Sequence, residues 1–179
     1  MNPLHRSRRF VVGFVALAIV ASACTSSNET DGQNAAGQIA QEAELAPDFM
    51  VPTASGGRFS LSEHLATDGR PVFLNLWASW CFPCREEMPA IDAASKIFTN
   101  VAFIGVAVQD SRSEANDFRE EIGVSYEIGF DEDGAVDADY RPLGLPASYI
   151  ISAEGLILER VFGKLTEEDL AEKLTKYFG

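Results

Sequence analysis

The chain has 179 residues, 46% hydrophobic and 23% charged, with a formal net charge of −13. That composition fits one globular domain with flanking segments and excludes a fibrous or wholly disordered chain. Its acidity argues against holding nucleic acid or anionic lipid headgroups by bulk charge, and three cysteines are too few for a disulfide-stapled scaffold.

Residues 1–23 carry His5, Arg6, Arg8 and Arg9 but no acid, followed by a small or apolar run from Phe10 to Ala23. As a helix this run would reach about 21 Å, short of the roughly 30 Å hydrocarbon core. A basic start, a short apolar middle and a small-residue end read as a secretory signal peptide. The run closes on Ala21-Ser22-Ala23-Cys24, which resembles a bacterial lipobox; families of that kind usually have Leu where Ala21 stands. Cys24 is therefore read as the lipidation site. The competing reading is cleavage after Ala23 and a secreted protein with an unmodified Cys24. Residues 24–44 are rich in Ser, Asn, Gln, Gly, Ala and acids, with Ile39 the single large aliphatic residue before Leu45. Such a segment buries too little to offset its ordering entropy and reads as a flexible tether.

Residues 45–179 read as one domain. Val51 to Leu61, with Ser55-Gly56-Gly57 at its turn, suggests a hairpin. Val72 to Trp77 is a near-continuous apolar run, as in a buried parallel strand. From Cys84 to Phe98 apolar residues fall at helical spacing, and Val101 to Val108 is a second buried-strand run. A helix from Ser113 to Gly123, a short strand from Tyr126 to Phe130 and a helical turn over 135–140 follow. Ser148–Ile151 and Leu156–Phe162 flank Ala153-Glu154-Gly155 as an antiparallel hairpin, and Thr166 with Asp169 caps a last helix. Early strands separated by helices pair in parallel, so the expected architecture is an α/β mixed sheet flanked by helices.

The stretch with chemical content is Trp77-Ala78-Ser79-Trp80-Cys81-Phe82-Pro83-Cys84-Arg85-Glu86-Glu87-Met88-Pro89, where a strand gives way to a helix. A helix N-terminus presents unpaired N–H groups and a partial positive charge, which favour a thiolate. A second cysteine one turn on can close a disulfide or resolve a mixed one. Pro83 falls in the first turn, where its missing N–H costs nothing.

This pattern resembles the signature of the TlpA/ResA-like branch of the thioredoxin superfamily. Ala46-Pro47-Asp48-Phe49 and Phe59-Ser60-Leu61 resemble that branch's opening hairpin, and Gly144-Leu145-Pro146-Ala147 its cis-proline loop. The resemblance implies a thioredoxin-like fold and thiol-disulfide oxidoreductase activity. It makes Cys81 the attacking cysteine, Cys84 the resolving one and Glu87 a carboxylate that moves protons near the dithiol. Trp80, Phe82, Pro83 and Pro146, the last after a cis bond, would meet the substrate. Two positions depart from the family: Ala147 stands where Thr is frequent, and Phe82-Pro83 lacks the histidine of strongly oxidising relatives.

The expected reaction needs neither a metal nor an organic cofactor, since electrons pass through the cysteines. The expected partners are disulfides of exported proteins such as apocytochrome c, and a membrane thiol carrier that returns electrons. A monomer outside the cytoplasm, held at the cell membrane through Cys24, completes the expectation. Alternatives are an exported disulfide oxidase and, in another class, a metal-binding chaperone on the same fold. Zinc would need two more ligands, and only His64 and Cys24 remain; no histidine follows Cys84 as copper delivery would require. A peroxidase would need a Thr-containing loop before a single reactive cysteine.

Overall fold

The structure is a computed structural model and describes residues 44–179. The expected signal peptide, the tether up to Ala43 and Cys24 lie outside the described residues. None of the helices described is long and apolar enough to cross a membrane.

The elements run β1 (Met50–Pro52), β2 (Arg58–Ser60), α1 (Leu61–Thr67), β3 (Val72–Trp77), α2 (Phe82–Ile97), β4 (Ala102–Ala107), α3 (Arg112–Ile122), β5 (Glu127–Phe130), α4 (Ala135–Tyr140), β6 (Ala147–Ile151), β7 (Ile157–Phe162) and α5 (Glu167–Phe178). Five strands form one sheet in the order β5-β4-β3-β6-β7. β3, β4 and β5 are parallel, while β6 runs antiparallel to β3 and β7 antiparallel to β6. This is the expected thioredoxin-like α/β fold, with β1 and β2 as the separate N-terminal hairpin.

Alternation along β3 divides the core. Phe73 and Trp77 face one side, with Met88 and Ile91 of α2, Phe118 of α3, and Leu170 and Leu174 of α5. Val72, Leu74 and Leu76 face the other, with Phe49, Leu61, Val136, Tyr140 and Tyr149. A six-residue strand buried on both faces explains the continuous apolar run in the sequence.

Helix α1 is absent from the sequence expectation, which ended the hairpin at Leu61. Ser60 caps it by accepting the Glu63 N–H, and only Leu61 is fully buried in its seven residues. So short a segment with one buried anchor leaves little periodicity to read. Helix α2 begins at Phe82, with Cys81 as N-cap, rather than at Cys84. Helix α3 is capped by Ser111, two residues before the expected start, and ends at Gly123 in the left-handed conformation, φ 75°. The capping box of α5 is present as read: Thr166 accepts the Asp169 N–H, and the Asp169 carboxylate accepts the Thr166 N–H.

Candidate active site

β3 runs from Val72 at one end of the sheet to Trp77 at the other, and α2 starts five residues after Trp77. Between them, Asp110 accepts both the N–H and the hydroxyl of Ser79, and Cys81 donates its N–H to the Ala78 carbonyl. The turn thereby delivers Cys81 to the mouth of α2.

Cys81 and Cys84 are joined in a disulfide with 5.3 Å between their Cα atoms. The Cys81 sulfur accepts the Cys84 N–H at 3.2 Å, so the sulfur itself caps the helix. No acid stands in the first turn of α2 to neutralise the helix's positive end. Cys84 is wholly buried and Cys81 is 4% exposed, whereas the flanking Trp80 and Phe82 are 62% and 70% exposed. Two aromatic rings therefore stand out in water on either side of the first cysteine. Pro83 occupies the first turn, as its sequence position required.

Glu87 lies one turn beyond Cys84 on the buried face of α2. It is fully buried; Asn75 of β3 donates its amide to one carboxylate oxygen at 2.7 Å, and the Leu165 backbone N–H bonds the other at 2.9 Å. Burial pushes its pKa up to about 7, against the pull of those two hydrogen bonds and the charge of Lys164. A carboxyl so poised holds and releases a proton near neutrality. The neighbours Arg85 and Glu86 are surface groups, paired with Glu121 and Lys164.

Pro146 follows a cis Leu145–Pro146 bond. Its place in the fold follows from the register. Leu76 of β3 faces Ala147 of β6, so Pro146 lies at the end of the sheet where β3 leads into the cysteine turn. Its carbonyl accepts the Gly163 N–H beyond β7. The fold thus brings Trp80, Cys81, Phe82, Pro83, Cys84 and Pro146 to one end of the sheet, with Glu87 beneath.

Sequence reasoning missed the residues that support these. Asn75 bridges Glu87 and the Ser148 hydroxyl, at 2.7 and 3.1 Å. An amide inside an otherwise apolar strand was the available signal. Gln109 and Asp110, which clasp the turn before Cys81, left no such mark. A cleft of about 460 Å³ lined by Tyr140, Arg141, Leu143, Tyr149, Arg160 and Phe162 lies on the α4 face and contains neither cysteine. Thiol exchange needs an approachable sulfur rather than an enclosed cavity, so the cysteine turn, not this cleft, is the candidate reactive site.

The AhpC/TSA family model matches residues 43–160. The thioredoxin-like protein YneN of Bacillus subtilis is 33% identical over 138 residues, covering 75% of this chain and 79% of that protein. The thiol-disulfide oxidoreductase ResA of Bacillus subtilis is 33% identical over 128 residues, covering 70% of each. The chain belongs to the AhpC/TSA family and is a ResA-like thiol-disulfide oxidoreductase. Among solved structures, a thiol-disulfide oxidoreductase from Bacteroides fragilis matches with a TM-score of 0.63 and 27% identity, over 75% of this chain and all of that one. This ResA-like enzyme thus has the redox pair, the fold and the relatives of one reaction class, the exchange of thiols and disulfides.

Proposed function

We propose that this enzyme is a membrane-tethered reductase of disulfides in exported proteins, with residues 1–23 as its signal peptide, residues 24–44 as its tether and Cys24 as its lipid anchor. The observation that carries the chemistry is the Cys81–Cys84 disulfide at the N-terminus of α2, one turn before a buried Glu87 whose pKa burial raises to about 7.

In the reducing direction the Cys81 thiolate attacks one sulfur of a substrate disulfide. The substrate S–S bond breaks, a Cys81–substrate bond forms, and the other substrate sulfur leaves as a thiolate. Cys84 passes its proton to the Glu87 carboxylate and attacks the Cys81 sulfur. The Cys81–Cys84 bond forms, the mixed disulfide breaks, and the second substrate thiolate departs. Two electrons have moved from the enzyme dithiol to the substrate, and two protons follow through Glu87 and solvent. Trp80, Phe82, Pro83 and Pro146 frame the extended substrate around the reacting sulfur.

A thiol carrier in the membrane would restore the dithiol, and apocytochrome c is the substrate that the family resemblance suggests. The basic start, short apolar run and Cys24 after Ala21-Ser22-Ala23 support the address. The direction of electron flow is set by reduction potential, with about 30 mV worth about 1.4 kcal/mol for a two-electron couple. Redox titration of the purified enzyme and thiol trapping of the pair in cells test it. A mainly reduced pair in cells supports the reductase, and a mainly oxidised pair replaces it with an oxidase. Retained exchange in Cys81→Ser would sink the mechanism. Incorporation of a labelled lipid precursor that survives Cys24→Ser would sink the anchor.

A further inference from the structure

We infer that Gln109 is a positioning residue that fixes the Trp80 ring beside the disulfide, held in place by a side-chain latch to Asp137 of α4. The inference rests on the reading of Trp80 as a substrate contact.

Three observations converge on Gln109. Its backbone carbonyl accepts the Trp80 indole N–H at 3.1 Å. Its φ is +52°, making it one of two non-glycine residues with positive φ among those described. Its side-chain amide nitrogen lies 3.0 Å from each carboxylate oxygen of Asp137. A left-handed backbone at a residue with a Cβ persists only where the surroundings over-determine it. Here the determinants lie on either side: Val108 is tied to Trp77 by its N–H, Asp110 to Ser79 by its carboxylate, and Gln109 itself to α4. The conformation that directs one carbonyl at an exposed indole is thus fixed from β3, the turn that follows it and α4.

The consequence concerns what Trp80 offers. Although 62% exposed, the ring has its one hydrogen-bond donor already taken. What remains for a partner is apolar face and edge. With Phe82, the residue after Cys81, exposed as well, the enzyme presents apolar surface to the residues beside a substrate cysteine. The matching substrate is an unfolded polypeptide with an apolar or aromatic side chain next to that cysteine. A small disulfide has nothing to place there.

The test uses the full chain with three variants: Gln109→Gly, Asp137→Ala and Trp80→Ala. Glycine accepts a positive φ, so the first removes the latch without opposing the backbone. Exchange is measured with a disulfide peptide carrying an aromatic residue beside its cysteine, and with oxidised glutathione. Emission of Trp80, one of only two tryptophans in the chain, is recorded in parallel. Each latch variant should raise KM for the peptide about fivefold, the weight of one ordinary hydrogen bond, with kcat within about twofold. The KM for glutathione should rise less than that for the peptide, and the tryptophan emission should shift. Because the two residues form one contact, the double variant should be no worse than either single one. If Trp80→Ala raises the peptide KM and the latch variants do not, the latch is refuted and the Trp80 contact stands. An unchanged KM in Trp80→Ala overturns both. Neither outcome bears on Cys81, whose replacement tests the reaction itself.

Discussion

Replacing Glu87 with glutamine exposes how its proton couples to folding. Glu87 titrates near 4.5 in the unfolded chain and at about 7 in the fold, because burial penalises the carboxylate. Between those values the folded protein holds a proton that the unfolded chain has released. Stability contributed by this site is therefore greatest below pH 4.5 and falls as pH rises to about 7. The full fall is the difference of the two values at about 1.36 kcal/mol per unit, or ~3 kcal/mol. The glutamine has no proton to lose. The Asn75 carbonyl oxygen, buried and without a hydrogen-bond partner, becomes an acceptor for its amide once the Asn75 amide turns over. Denaturant unfolding of the oxidised wild type and Glu87→Gln from about pH 4 to about pH 8 isolates the effect as the difference between the two curves, because all other titrating groups cancel. That difference should move by ~3 kcal/mol in favour of the variant as pH rises. A difference that stays flat across the range would refute the buried, proton-holding carboxyl.

The same substitution should slow resolution of a mixed disulfide by about 10²-fold, seen as a longer-lived Cys81 adduct in quenched-flow trapping. Cys84→Ser should stop the reaction at that adduct, recovered as a covalent complex on non-reducing gels, whereas Cys81→Ser should form none. Asn75→Ala removes one hydrogen bond from the buried carboxylate, so the midpoint of the Glu87 titration should move further up, and stability at about pH 8 should drop by ~1–3 kcal/mol, read by denaturant unfolding. A methyl group on Gly105 would lie 2.9 Å from Tyr126 Cε2 and 3.1 Å from Trp77 Nε1. Gly105→Ala should therefore cost ~1–3 kcal/mol by overpacking beneath α2, measured as a lower thermal midpoint.

Much of the fold is legible in the sequence because its elements carry strong local signals. The β3 run is apolar almost without interruption because both its faces are covered, and Thr166 with Asp169 announces α5 through the capping box it forms. Helix α1 escaped because one buried leucine in seven residues makes no pattern. The cysteine pair was legible for a different reason: its spacing is the chemistry. Glu87 was legible only as a position in a motif. That it is buried and bonded to Asn75 and Leu165 depends on residues 12 and 78 positions away meeting it in space. Gln109 is harder still, since its role rests on a backbone dihedral and on a carbonyl, which every residue has.

The chain enters the domain at Leu45, which bridges to Leu156 beside the turn between β6 and β7. That turn stands where Ile151 meets Val72, at the beginning of β3, while the disulfide follows Trp77 at its end. Entry point and reactive sulfur are thus at opposite poles, separated by a strand about 17 Å long. An enzyme leashed through residues ahead of Glu44 would face its chemistry outward from the bilayer, towards passing exported chains. A carrier embedded in the membrane would meet the back of the molecule first. Were residues 24–44 the proposed tether, about twenty residues could span at most ~70 Å, length enough for the domain to turn over. If the proposed membrane tether and membrane thiol carrier hold, shortening residues 24–44 should therefore hamper recharging of the enzyme before it hampers attack on substrate.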